Sequence, residues 1–340
     1  MSNVTVFDTI KALEEIPSYS KHEQFVQGII HAIEAKIISK GDPLPSINVL
    51  IKELGFARET IMRGYRELKN RGIVEAKRRL GYFVANEATD QSLKVALLMF
   101  LFDSFQEQFY RNFRNELGNK VHIDVFFHHG NITMFETMID MIKGKYGAYV
   151  IAPIPHPKTR MLLQGLPERK LVLFDRFEPV GLKSSYITQE FEQSTYRVLA
   201  ELAPTIKTFD QLVFFHTTES FDPIEIIRSY RKFAKDFDVK AKIVPEYKKG
   251  SVKKGHVYFT LNNAEIWQIL KDCETKGLSP GKDIGILSCN DELLKEIIGG
   301  GITTYSTDFS LMGIRAAQAV VQKETVHELI PTLLYRRKSL

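Results

Sequence analysis

The sequence predicts two parts. A small N-terminal domain of three helices is closed by a basic β-hairpin, and a larger α/β body follows, with two lobes built on parallel sheets. Three observations predict this. Three amphipathic stretches and a hairpin pattern fill the chain up to Val84. Beyond them, eight apolar runs alternate with helical patterns, as parallel strands covered on both faces do. The third is charge: the 340 residues carry a formal net charge of +5. Between Arg58 and Val84 alone, eight cations stand against three anions, an excess equal to that of the whole chain.

The first helix is expected over His22–Ser39. Phe25, Ile29, Ile33 and Ile37 recur every fourth residue and Val26, Ile30 and Ile38 widen the stripe. "KGDPLPS" (Lys40–Ser46) stops it with Gly41 and two prolines. Ser46 can cap a second, short helix carrying Ile47, Leu50, Ile51 and Leu54, and Gly55 falls just past its end. A third helix runs from about Arg58 to Asn70, with Ile61, Tyr65 and Leu68 turned inward. "IVEAK" and "LGYFV" then read as two strands joined by a turn over Lys77–Leu80. A cationic helix followed by a basic hairpin tip is the electrostatic footprint of a duplex-DNA reader.

"NEATDQS" (Asn86–Ser92) reads as a polar linker, which divides the chain into a domain over 1–88, a linker over 89–92 and a body over 93–340. The strand runs of the body are "KVALLMF", "HIDVFF", "GAYVIAP", "KLVLFD", "QLVFFH", "KAKIV", "HVYFTL" and "DIGILS". Helical patterns lie at Ser104–Leu117, Met134–Lys143, Pro157–Leu166, Phe191–Leu202, Pro223–Phe237 and Ala264–Lys276. Ligands of such lobes sit at the carboxyl ends of the strands.

Composition narrows the functional classes. Hydrophobic residues make up 44% of the chain, enough for packed cores in both parts. Cys273 and Cys289 are too few for a disulfide framework and suit a reducing compartment. No basic-then-apolar leader opens the chain, and "KVALLMFLF" falls short of the ~20 apolar residues of a membrane helix. A soluble cytoplasmic protein without membrane attachment is expected. His128-His129 lacks the companions of a metal site, and no nucleophile-elbow, phosphate-loop or dinucleotide motif occurs. Neither catalysis, a metal nor a cofactor is expected.

The stretch "GDPLPSINVLIKELGFARETIMRGYRELKNRGIVEAKRRLGYFV" resembles the winged helix-turn-helix of GntR-family transcription regulators. Gly41, Leu44-Pro45-Ser46, Leu50, Leu54-Gly55, Arg58, Thr60, Leu68, Gly72 and the Gly81–Val84 end of the wing carry the resemblance. It implies that Arg58, Thr60 and the tip Lys77, Arg78, Arg79 and Gly81 touch double-stranded operator DNA. Ser46, Glu59 and Arg63 belong to the same expected surface. Two positions depart from the family's pattern: Asn48 stands where an Arg is usual, and Met62 where many members place an Arg, with Arg63 next along.

The body resembles the periplasmic-binding-protein-like sugar sensor of LacI-type regulators. "SCNDELLKEIIGGGITTYSTDFSLMGIRAAQAVV" carries that likeness best, and "LVLFDR" supports it. The combination is similar to arabinose-responsive repressors. It implies a homodimeric, sugar-responsive transcription regulator, repressor or activator, controlled by a small carbohydrate effector (an arabinose- or fucose-like monosaccharide, free or phosphorylated), and a last strand and helix (Tyr305–Val321) that return to the first lobe. Sugar hydroxyls need bidentate polar partners and an aromatic face. The strand-end loops offer Phe102, Asp103, Phe105, His128, Asp175, Arg176, Asn263 and Asp291, and Arg228 is added as a counterpart of the relatives' Arg. Phe102 and Phe105 read equally as core, and Asp175 with Arg176 equally as a structural pair. An alternative keeps the DNA-binding head and places an enzymatic, pyridoxal-phosphate-type body or a non-sugar effector domain behind it.

Overall fold

The computed structural model describes residues 4–14, 19–87, 93–119, 121–217, 220–322 and 324–340. The expected linker over 89–92 lies outside them. In the head, α1 (Val6–Lys11), α2 (Lys21–Glu34), α3 (Ile47–Leu54) and α4 (Arg58–Asn70) precede the antiparallel pair β1 (Val74–Lys77) and β2 (Gly81–Val84). The first helix ends at Glu34 rather than Ser39. Lys36 adopts φ 55°, and the amides of Ile37 and Ile38 turn back to the Ala32 carbonyl at 2.9 and 3.3 Å. The apolar stripe outlasts the helix because Ile37 and Ile38 pack on the head core as turn residues. The short α1 has no counterpart in the sequence reading. It is started by a Thr5–Asp8 capping box and sets Ile10 over Gly28, where an added Cβ would lie 2.4 Å from the Ile10 side chain.

Tyr65 ties the head together. Its ring stacks on Tyr82 of the wing at 3.9 Å and meets the edge of Phe25 of α2 at 5.0 Å. Its hydroxyl donates to the Pro45 carbonyl at the entrance to α3. With Ile61 and Leu68, also wholly buried, it fixes the roll of α4 about its axis. The opposite surface of α4 is thereby left to solvent.

The first lobe holds β3 (Lys94–Met99), α5 (Ser104–Leu117), β4 (His122–Phe127), α6 (Ile132–Ile142), β5 (Ala148–Ile151), α7 (Thr159–Gln164), β6 (Leu171–Asp175) and β7 (Ser185–Gln189). The second holds α8 (Glu192–Ile206), β8 (Gln211–Phe215), α9 (Ile224–Asp236), β9 (Ala241–Val244), β10 (His256–Thr260), α10 (Asn263–Lys276), β11 (Gly285–Cys289), α11 (Leu293–Ile297) and β12 (Thr303–Thr307). The tail is α12 (Phe309–Gln322), β13 (His327–Ile330) and β14 (Thr332–Tyr335). The first sheet has the order β13-β7-β6-β5-β3-β4 and is wholly parallel. The second has the order β14-β12-β11-β10-β8-β9, with β14 alone antiparallel.

The chain therefore crosses between lobes after Gln189, after Thr307 and between Ile330 and Thr332. The expectation that the last strand returns with the last helix is corrected: Tyr305 stays in β12 of the second sheet, and the return begins with α12. That helix lies so close to α5 that a Cβ on Gly313 would sit 2.4 Å from the Phe109 carbonyl oxygen. Backbone cannot yield as a flexible side chain does. Gly313→Ala should destabilise the protein by about 1–3 kcal/mol through overpacking, and chemical unfolding of the variant beside the parent measures it.

Candidate DNA interface and effector cleft

The exposed surface of the head is assembled from α3, α4 and the wing. Ser46 caps α3, its Oγ accepting from the Val49 amide at 3.4 Å. Two residues on, Asn48 Oδ1 accepts from Arg58 Nη1 at 3.4 Å, so the first turns of α3 and α4 share one polar contact. Arg58 and Glu59 are exposed, and Thr60 and Met62 are half-buried beside them. At the wing tip Lys77, Arg78, Arg79 and Gly81 are all exposed. Arg79 and Gly81 take φ of 63° and 102°, the left-handed geometry that a tight hairpin demands. Lys77 pairs with Glu75 at 3.2 Å and lies over the Phe83 ring at 4.5 Å. Arg63 departs from this group. Its flank of α4 turns toward the first lobe, where it lines a crevice with His22 and Lys145.

Between the lobes lies a cleft of about 1010 Å³. Of the expected ligand residues, Asp103, Phe105, Asp175, Arg176, Asn263 and Asp291 line it. Phe102, His128 and Arg228 do not, and each has a physical reason. His128 is wholly buried. Its Nε2 lies 3.0 Å from the Ala152 carbonyl and its Nδ1 accepts the Gly130 amide at 3.1 Å, which fixes a neutral ring donating from Nε2. Burial pushes its pKa down to about 4. It props the cleft-lining Phe100 edge-on at 5.6 Å and does not meet solvent. Phe102 leans away against Tyr110 and Phe127. Arg228 sits on the outer face of α9, 3.9 Å from Glu192.

Sequence reasoning missed Gln189, His216, Asp222, Glu265, Glu292 and Lys295, all on the cleft wall. His216 directly follows β8 and could have been found by the strand-end rule that selected Asp175. Gln189 ends β7, a strand the apolar-run criterion passes over.

The cleft is rich in carboxyl groups under tension with burial. Burial raises the Asp103 carboxyl to about 6, with the charges of Asp175 and Glu292 adding to it and the Gln106 amide opposing. Burial also raises Asp175, against the attraction of Arg176. Asp175 takes φ 67° and accepts from Gln189 Nε2, whose Oε1 in turn accepts from Thr307 at 2.8 Å. Asp291 is committed elsewhere. Burial would raise it, but Arg337, bonded at 2.6 and 2.9 Å, and Thr304 together hold it below the usual carboxylate range. Lys295, 2% exposed, donates to Ser288 Oγ at 3.0 Å and to the Cys289 and Asn290 carbonyls at 2.7 Å each, and so fixes the loop carrying Asp291. Contacts that join the lobes across the cleft include the hydrogen bonds of Ser104 Oγ to Glu292 at 2.6 Å and of Arg176 to the Phe221 carbonyl, and the edge-on packing of Phe100 on Phe221 at 5.7 Å. Glu292 also accepts from Asn263 at 2.6 Å. Among the described residues no cluster of His, Cys, Asp or Glu could hold a metal ion, and no helix is long and apolar enough to cross a membrane.

Residues 21–84 match the family of bacterial regulatory proteins of the gntR type. Over 75 residues the chain is 33% identical to the HTH-type transcriptional regulator Rv1152 of Mycobacterium tuberculosis, a match covering 22% of this chain and 62% of that regulator. The body has the fold of the trehalose repressor from Escherichia coli, with a TM-score of 0.60 at 11% identity over 72% of this chain and 99% of that one. It is also similar to the LacI family transcriptional regulator CCPA from Weissella paramesenteroides with bound sucrose, at a TM-score of 0.57 and 14% identity over 73% of this chain and 98% of that one. Head and body together combine a winged helix-turn-helix, matched by the gntR-type family over residues 21–84, with a two-lobed α/β fold shared with these repressor structures.

Asp103 generates a pH prediction. Its folded-state pKa lies above the unfolded value, so its contribution to stability is full below about 4 and is lost as pH rises through about 6. Asn keeps the cap that Asp103 gives to α5 without a titrating charge. Asp103→Asn should therefore melt higher than the parent at a pH of about 7.5, and the gain should shrink toward zero near pH 4. Unfolding midpoints of both proteins across that range check it.

Proposed function

We propose that this chain is a transcription regulator whose head binds operator DNA and whose body senses a small carbohydrate in the interlobe cleft. The observation that carries the first half is the row of exposed Asn48 and Arg58 with half-buried Thr60 and Met62 beside a wing tip bearing three cations. A helix of this width enters the major groove, where Arg pairs bidentately with guanine. A wing of Lys77, Arg78 and Arg79 suits the phosphate backbone. The gntR-family match over residues 21–84 supports the same reading.

The second half rests on the lining of the cleft. Asp103, Asp175, Arg176, Gln189 and Asn263 supply donors and acceptors for hydroxyls, and Phe105, Phe191 and Phe221 supply ring faces. Because Ser104–Glu292 and Arg176–Phe221 span the gap, a ligand that replaces either contact changes how the lobes close. The effector in this reading is a monosaccharide of the arabinose or fucose kind. The head occupies 1–88 and the sensor 93–340, and the regulator works as a cytoplasmic homodimer on a pseudo-palindromic site. It needs no cofactor and catalyses no reaction.

Two measurements test the proposal. Arg58→Ala should weaken operator binding by about 1–3 kcal/mol in a fluorescence-anisotropy titration, and an unchanged isotherm would remove Arg58 from the interface. Thermal unfolding against a panel of monosaccharides should give one clear hit. At a hundred times its dissociation constant the ligand stabilises by about 2.7 kcal/mol, a rise of roughly 5–10 °C. A flat response across the panel would sink the sugar-sensor half.

A further inference from the structure

The head docks on the edge of the first lobe opposite the effector cleft. Glu23 of α2 and Lys170, which precedes β6, are each 9% exposed in their side chains and stand 3.9 Å apart. Lys170 also lies over the Tyr19 ring at 4.7 Å. Beside this contact a crevice of about 600 Å³ opens between α4 and the lobe. The head lends it Arg63, Arg66 and Arg71, and the lobe lends it Lys94, Lys145 and His122.

The acids nearby are already engaged. Glu67 is held by Arg71 and by His22 at 3.1 Å. Asp124 is held by Lys94 at 2.7 Å, by His122 at 2.8 Å and by Tyr146 at 2.6 Å. Glu23 faces Lys170. Counting Glu67 and Asp124 against the five Arg and Lys side chains leaves an excess of three positive charges. These charges face one another across a domain boundary. Bringing them together costs repulsion that only a counter-charge or bulk salt relieves. The forked donors of Arg63 and Arg66 match phosphate oxygens, and the volume is that of a small-metabolite site.

We infer that this crevice binds a small phosphate-bearing anion that bridges the head and the first lobe. The site is separate from the interlobe cleft and from the wing. Its occupant strengthens the docked arrangement by replacing repulsion between the two walls with shared hydrogen bonds.

Inorganic pyrophosphate is the probe. The full-length protein is titrated with it by calorimetry and by thermal unfolding at constant ionic strength, with sodium chloride as the matched control. Saturable binding and a raised unfolding midpoint are expected. Arg66→Ala combined with Lys145→Ala should weaken the binding about tenfold or more, as loss of charge-assisted hydrogen bonds does. Both side chains are exposed and both add to the repulsion between the walls, so the unfolding midpoint without anion should be equal to or above that of the parent. Lys145→Gln alone serves as a milder second variant and should weaken binding in the same direction. Stabilisation no greater than that of matched salt, or equal affinity in the variants, overturns the inference. The phosphate could instead come from the DNA backbone. In that case pyrophosphate gives no saturable effect and Lys145→Gln lowers the salt slope of operator binding by about one, an outcome that also overturns it.

Discussion

Parallel pairing sends every strand of a sheet to finish on the same edge, and both lobes of this protein turn that edge toward each other. The rest of the molecule follows from this constraint. Asp103 and Asp175 on one side, and His216, Asn263 and Asp291 on the other, stand at or just beyond the carboxyl ends of strands β3, β6, β8, β10 and β11. No long excursion is needed to gather them. The opposite edge of the first sheet, where strands begin, is left free of the cleft, and there the head settles through Glu23 and Lys170.

The tail completes the arrangement. After β12 the chain returns to cover the first lobe with α12, adds β13 to that sheet and crosses again to place β14 on the other. The two lobes are thus bound by three crossings of one chain, and the small residues Gly313, Ala316 and Ala317 let α12 reach the backbone of α5. In the head a single aromatic residue has a comparable part. Tyr65 touches α2, the α3 entrance and the wing at once, and so the exposed face of α4 and the wing tip keep a fixed relation.

Much of this was legible in the sequence, and the failures have physical causes. All eight apolar runs form strands; β3, β5, β6, β8, β10 and β11 are buried on both faces and so are apolar almost throughout, while β4 and β9 lie at sheet edges and are only partly buried. β7 ("SYITQ") escapes an apolar-run criterion because hydroxyl and amide groups interrupt its apolar residues, and Gln189 at its end escapes with it. β13 and β14 are edge strands with one wet side and show no such run. The strand-end rule selects His128 because it follows β4. Whether a strand-end side chain turns toward the gap or back into the lobe depends on the next turn of chain, here the sharp path through His129 and Gly130 with φ of 49° and 71°. Arg228 was placed by likeness alone, and α9 presents the opposite face. Asp291 stands on the cleft wall as expected, but its bond to Arg337 joins residues 46 apart in sequence, beyond the reach of any local pattern. The same holds for Arg63: periodicity sets it on the outside of α4 but does not say that a second domain faces it.

β6 runs from Leu171 to Asp175 through the middle of the first sheet. The residue before it is Lys170, the buried partner of the head, and its last residue is Asp175, on the cleft wall. Five residues of strand span about 17 Å, and a strand hydrogen-bonded on both sides neither stretches nor bends appreciably. The head contact and the cleft wall therefore sit at opposite ends of one strand. The distance between the two sites is thus spanned by a single element of secondary structure.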